Sequence, residues 1–294
     1  MVETDLPAYG RRVLPWLERD PIRNTVQATV LVTLLEGATD PGDPWLAWLR
    51  GGSGEVAGVA LRTPPRGLLV SPLPAGAPEA LAAVAEPGLR GAAGPAAEAE
   101  AFATAYAART GARAAAAIRQ RLFRLDRLVP PPPAAGRLRE ATAADVELGS
   151  RWYAEFAAEA HMPLQPDVAG ATGRAVAQRR LLLWEVGGEP VSMVAHSPPV
   201  AGVPRVGPVY TPPEHRRRGY AAAATAGTCE RLFRAGARTI VLFADRANPT
   251  STGVYRRIGF HPVAARPPGG AHERGRPPAP VRASTDHDDW VLEY

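Results

Sequence analysis

The sequence predicts an α/β chain of two units, each built on a mixed sheet, and three observations carry that reading. Residues 205–260 run as an apolar strand (Val206 to Thr211), a polar turn, an alanine-rich helix, a β-branched strand (Thr239-Ile240-Val241-Leu242-Phe243) and a short helix closing before Phe260. The first half, read as helix, three strands, helix, loosely repeats the layout of the C-terminal half. Between the halves, Pro130-Pro131-Pro132-Pro133-Ala134-Ala135-Gly136 interrupts both helix and sheet.

The chain of 294 residues, 46% hydrophobic and 21% charged, can bury ordinary globular cores in one large domain or two smaller ones. No apolar run approaches the roughly 18 residues of a membrane span. The first residues carry acid where a signal peptide carries base, so a cytoplasmic location is expected. The single cysteine, Cys229, fits a reducing compartment and reads as a packing residue inside a helix. All 34 basic residues are arginine, which excludes a lysine Schiff base or a lysine general base. The net charge of +5 is spread along the chain, favouring small anionic ligands over nucleic acid. No metal is expected, and monomer and homodimer both remain open.

Residues 1–128 form the first expected domain. A helix is predicted from Ile22 to Leu35, strands at Trp45–Leu49, Glu55–Arg62 and Gly67–Ser71, helices near Pro78–Val84 and Glu98–Thr110, and a strand near Ala115–Leu125. After the third strand stands Ser71-Pro72-Leu73-Pro74-Ala75-Gly76, whose prolines remove amides that an anion would need. Residues 129–136 read as a stiff polyproline spacer, with a proline-motif ligand as the alternative.

The second expected domain spans residues 137–294. It opens with a strand, Arg137–Ala141, and Thr142-x-x-Asp145 signals a capped helix running to about Ala160. A helix over Pro166–Gln178 and strands at Arg180–Val186 and Val191–Ser197 follow. Pro208 inside the next strand implies a bulge or splay. Residues 266–283, rich in Pro, Gly and Arg, read as a mobile lid or an insertion, and Asp289–Tyr294 as a final strand.

The turn before the alanine-rich helix reads Arg216-Arg217-Arg218-Gly219-Tyr220-Ala221, and the second helix opens at Asn248 and places Tyr255 four residues before Gly259-Phe260. Arg216-x-x-Gly219-x-Ala221 resembles the acetyl-CoA motif of the GNAT superfamily of N-acetyltransferases, and Asn248 to Phe260 is similar to that superfamily's next block. The close likeness covers roughly residues 137–294. It implies a GNAT fold with splayed central strands, acetyl-CoA as cosubstrate, and a small-molecule amine as acceptor in a ternary complex. By the same likeness the first domain is a degenerate, cofactor-less GNAT-like half, as in the glycine N-acyltransferase-like branch; an unrelated α+β cap is the alternative.

The resemblance also implies site residues. Backbone groups of Val209, Tyr210 and Thr211 would meet the pantetheine, and the amides and charges of Arg216, Arg217, Arg218, Gly219, Tyr220 and Ala221 the diphosphate. Asn248 would orient the cosubstrate, Ser251 would bond its pantetheine or phosphate region, and Tyr255 would be the general acid for the thiolate. Trp152, Tyr153, His161 and Met162 are candidate acceptor contacts, although aromatics on such a helix are more often core. The place of the glutamate base of some relatives falls near Arg205, leaving His196, Glu185 or a water chain as alternatives. A silent acyl-CoA sensor and an arginine-driven nucleic-acid binder are the competing readings. A dinucleotide site is disfavoured because no G-x-G-x-x-G follows a strand.

Overall fold

The computed structural model describes residues 1–37, 42–113, 118–162, 164, 167–264 and, as backbone, 289–292. The stretch 266–283, read as a lid or insertion, lies outside the described residues. Contacts divide the chain into residues 1–122 with 262–294 and residues 123–261. The proline run is therefore not the boundary. It packs along the second unit: the Trp184 indole N–H donates to the Ala135 carbonyl at 2.8 Å, and the Val129 amide to the Ile258 carbonyl at 3.0 Å.

In the first unit, β1 (Val2–Glu3), β2 (Trp45–Arg50), β3 (Val56–Arg62) and β4 (Leu68–Val70) pair antiparallel in sequence, and β5 (Ala92–Pro95) joins β4 in parallel. Helices α1 (Leu6–Leu17), α2 (Thr25–Leu35), α3 (Ala77–Val84) and α4 (Ala96–Thr110) cover this sheet. Helix α1 is absent from the sequence reading because Pro7 and Pro15 look like breakers. Pro7 falls in the first turn, where an amide is spare, and Pro15 lies inside the last turn, where it gives up one amide bond that the packing of the helix offsets. Tyr9 anchors α1, its hydroxyl lying 3.1 Å from the Ala47 carbonyl and 3.0 Å from that of Ala60.

Strands β4 and β5 stay closed. A Cβ at Gly94 would lie 2.5 Å from Val70 Cγ2, and the buried Gln27 amide donates to the Val70 carbonyl at 2.5 Å. β6 (Ile118–Leu125) runs across the division of the chain. The C-terminal strand of residues 289–292, assigned by sequence to the second domain, pairs between β5 and the first part of β6 in the first unit.

The second unit carries β7 (Arg137–Glu140), β8 (Leu181–Val186), β9 (Glu189–His196) and β10 (Val206–Tyr210), an antiparallel sheet in the order β10-β9-β8-β7. β11 (Ile240–Asp245) lies instead beside the end of β6. One face of this unit packs α5 (Val146–Glu159) and α6 (Val168–Ala177) over Trp152, Leu181, Leu183, Met193 and Tyr210. The other packs α7 (Tyr220–Arg234) and α8 (Pro249–Arg257) over Phe123, Val194, Val206, Ile240, Leu242 and Phe260. The small buried residues Ala223, Ala224, Ala226 and Cys229 let α7 approach its sheet closely. A two-residue strand, β12 (His261–Pro262), pairs with β6, and residues 289–292 are β13.

Helix α5 owes its position to one carboxylate. Asp145 Oδ2 accepts from the Thr142 amide at 2.7 Å and the Thr142 hydroxyl at 2.9 Å, closing a capping box. The Arg139 guanidinium grips both Asp145 oxygens at 2.8 and 2.9 Å and reaches Glu185 at 2.7 Å. Those bonds hold the Asp145 carboxyl well below the usual carboxylate range, against the opposing effect of burial. A group with a depressed native pKa stabilises the fold above its unfolded value, and that stability is lost as pH falls toward the native one. Asp145→Asn should therefore cost about 1–2 kcal/mol at pH 7. The difference from wild type should be complete above about pH 5 and shrink as pH drops below about 4. Thermal melts across that range check it, and equal melting points at pH 7 would contradict it.

Candidate functional site

The site begins where β10 and β11 part. They meet in a parallel bridge, Arg205 with Val241, with the Val241 amide on the Pro204 carbonyl at 3.1 Å. Beyond it β10 follows β9 and β11 follows β6, so the β10 edge facing β11 keeps backbone groups free of a ladder. The divergence coincides with a register shift between Val206 and Val209, where Gly207 takes φ 142° and the Gly207–Pro208 peptide is cis. The sequence expectation of a bulge at Pro208 holds in the structure.

Past the bulge, Ser192 of β9 fixes the end of β10. Its hydroxyl donates to the Tyr210 carbonyl at 3.0 Å and lies 2.8 Å from the Thr211 hydroxyl. Val209 packs toward the α7 face and Tyr210 toward the α5 face. Sequence reasoning passed over Ser192, because a serine within an apolar strand carries no signal until its opposite residue is known.

The turn from β10 to α7 is a short 3₁₀ segment, Pro213–His215, followed by Arg217 at φ 62° and Gly219 at φ 82°. Gly219 is the N-cap of α7 and supplies no side chain to cap it. The amides of Tyr220, Ala221 and Ala222, which no helix can satisfy internally, stand at the positive end of a 15-residue helix. Space is not what demands glycine here: a Cβ would meet only Ala134 Cβ, at 3.7 Å, so the constraint is the positive φ. Arg217 and Arg218 are exposed at the rim, whereas Tyr220 is buried at 8% exposure and contributes its backbone.

Arg216 behaves differently from its two neighbours. Its Nε donates to the Thr211 carbonyl at 2.8 Å, and Nη2 lies 2.7 Å from both carboxylate oxygens of Glu159 at the end of α5. The guanidinium carbon is 5.8 Å from the Tyr210 ring centroid, and the Tyr210 hydroxyl donates to Glu159 at 3.2 Å. Burial, joined by Glu155 and Glu159, pushes the Tyr210 phenol well above its ordinary value, so it remains a donor.

After β11, Asn248 caps α8. Its Oδ1 accepts from the Ser251 amide at 3.0 Å, and the Ser251 hydroxyl returns to the Asn248 carbonyl at 3.1 Å. Tyr255, about two turns on, packs edge-on against Phe260 with ring centroids 6.0 Å apart. Burial, then the neighbouring Cys229, pushes its phenol up to about 12. Cys229 is itself buried, its thiol pushed up to about 12, which suits packing and not nucleophilic attack.

The two residues considered as bases take other places. Glu185 is held by Arg139 at 2.7 Å and Arg137 at 3.0 Å, and those bonds lower its pKa, so it belongs to the ion-pair network under α5. His196 pairs opposite Val206, before the bulge. Two residues from Val194 along β9, it shares that residue's α7 face, among Arg180 and Arg231. Burial lowers its pKa, leaving a neutral ring whose Nδ1 lies 2.9 Å from the Ser197 carbonyl.

The four acceptor candidates also separate. Trp152 is 5% exposed, packed in the core with its ring 6.4 Å from that of Tyr210. Tyr153 is half-buried and interacts with Arg205, whose pKa burial lowers to about 10. His161, at φ 51°, and Met162 close the end of α5 through amide bonds to the Ala158 and Ala157 carbonyls at 3.2 and 2.8 Å.

Known proteins place this arrangement. A sequence profile described as the Acetyltransferase (GNAT) family matches residues 148–260. No curated protein matches the chain. A Drosophila protein of solved structure superposes with a TM-score of 0.63 at 14% identity, over 99% of this chain and 97% of its own. A GCN5-related N-acetyltransferase from Sphaerobacter thermophilus gives 0.53 at 19% identity, covering 89% and 92% of the two chains. A GNAT-family acetyltransferase from Colwellia psychrerythraea gives 0.50 at 11% identity over 74% and 81%. At such identities the likeness is one of fold, while the profile rests on the segment that holds the parted strands and the uncapped helix. Residues 148–260 are thus similar to the acetyltransferase (GNAT) family, and the rest of the chain is similar to such proteins in fold.

Proposed function

We propose that the protein is an acyl-CoA-dependent N-acyltransferase that moves an acetyl group from acetyl-CoA to a primary amine of a small molecule. One observation carries this: a helix N-terminus with bare amides and no side-chain cap lies directly beyond the point where β10 and β11 part. The residues present fit such a cosubstrate. The amides of Tyr220 to Ala222 and the rim charges of Arg217 and Arg218 suit a diphosphate, and the unpaired β10 edge at Val209 to Thr211 suits an amide-bearing arm. Acetyl-CoA would supply the acyl group already activated as a thioester.

The chain's own groups then have defined tasks. Ser192 holds the Tyr210 carbonyl, so the β10 edge is preorganised to bind and to polarise an acyl oxygen through an amide. Tyr255 keeps its proton at neutral pH and can donate it to the departing thiolate. Asn248 and Ser251 shape the start of α8, on which Tyr255 is carried. Glu185 and His196 are given to other work, so removal of the amine proton falls to solvent in this reading. The first unit, with β4 and β5 closed over Gly94, acts as a cofactor-less GNAT-like half.

Release of free CoA thiol from acetyl-CoA, screened against amines, amino acids, polyamines and aminoglycosides, tests the assignment. Cosubstrate binding with no thiol release from any acceptor would favour a silent acyl-CoA sensor. Gly219→Glu, which places bulk and negative charge at the helix N-terminus, should abolish the heat of CoA binding; an unchanged calorimetric affinity would refute the diphosphate site. Tyr255→Phe should lower kcat on the order of 10²-fold with cosubstrate affinity nearly intact. Full activity in that variant would remove Tyr255 from the mechanism.

A further inference from the structure

Arg216 opens the motif that meets the diphosphate, yet in this structure its guanidinium is committed elsewhere. Nη2 sits between the two Glu159 oxygens, both at 2.7 Å, Nε is on the Thr211 carbonyl at 2.8 Å, and the Tyr210 ring lies beneath. The same Glu159 accepts from the Tyr210 hydroxyl at 3.2 Å. One carboxylate on α5 thus holds both the end of β10 and Arg216, within the turn into α7. The pair is open to water, with Arg216 41% and Glu159 48% exposed, so it is weak enough to be exchanged.

Resting on the reading above that α7 receives a diphosphate, we infer that Glu159 is a positioning residue that competes with CoA for Arg216. A diphosphate carries more charge than one carboxylate and offers the guanidinium two-pronged bonding, so its arrival draws Arg216 off Glu159. The carboxylate is then left beside the Tyr210 hydroxyl on the α5 face of the sheet. A negative group bared only in the CoA complex would favour a cationic acceptor that enters second. The exchange is purely one of ion pairs and needs no covalent step.

Calorimetric titration of CoA into wild type, Glu159→Gln, Arg216→Gln and the double variant tests it. Both side chains are largely solvent-facing, so the variants retain the fold, and thermal melts accompany each titration. Glu159→Gln should bind CoA roughly two- to five-fold more tightly, the range that loss of an exposed ion pair allows. Arg216→Gln should bind more weakly than wild type, and adding Glu159→Gln to it should change nothing further. A plain packing role for Glu159 predicts the opposite sign. Equal or weaker CoA binding by Glu159→Gln, with wild-type binding intact, overturns the competition while leaving the proposed function standing. A wild type that takes up no CoA overturns both.

Discussion

The second unit depends on two strands that start out paired and then diverge. A single parallel bridge between Arg205 and Val241 holds β10 to β11, and the extra residue between Val206 and Val209 turns β10 away with β9. Unpaired backbone is costly inside a sheet, so such a gap persists only where something else fixes each strand. Ser192 fixes β10 from one side, and the end of β6 fixes β11 from the other. The first unit shows the contrasting case: at the corresponding parallel pair, glycine at 94 brings Val70 within contact distance and Gln27 takes the Val70 carbonyl. β4 and β5 thus stay paired, whereas β10 and β11 part after one bridge.

What could be read from the chain alone follows from how local each signal is. The strand–turn–helix order, the capping box at Thr142 and Asp145 and the bulge at Pro208 all depend on neighbours a few residues away. Helix α1 was hidden because prolines count as breakers unless their place within the helix is known. β5, Ala92-Ala93-Gly94-Pro95, has no strand-forming residue and exists because it is clamped between β4 and β13. The proline run suggested a spacer, yet Trp184 and Ile258 hold it against the second unit. Those contacts join residues scores of positions apart, beyond any local pattern.

The same distinction governs the site. The motif placed Arg216, Arg217 and Arg218 together, but only the structure separates two solvent-facing arginines from one held by Glu159. Glu185 and His196 are both open as bases from the sequence. Arg137 and Arg139 commit the first to holding the sheet and α5, and strand parity sends the second to the α7 face. With no lysine in the chain, the cationic side chains of this site are arginines, and their several donors let Arg139 bridge two carboxylates and Arg216 join the Thr211 carbonyl to Glu159.

In the proposed function, backbone amides at the β10 edge and the N-terminus of α7 receive the cosubstrate, and the first unit does not. Hydrogen–deuterium exchange with and without saturating CoA reads both parts at once. Protection is predicted in peptides covering Val209 to Ala222 and around Asn248 to Ser251, with Ser71 to Ala77 unchanged. Absence of protection across 209–222, or protection centred on Ser71 to Ala77, would contradict it.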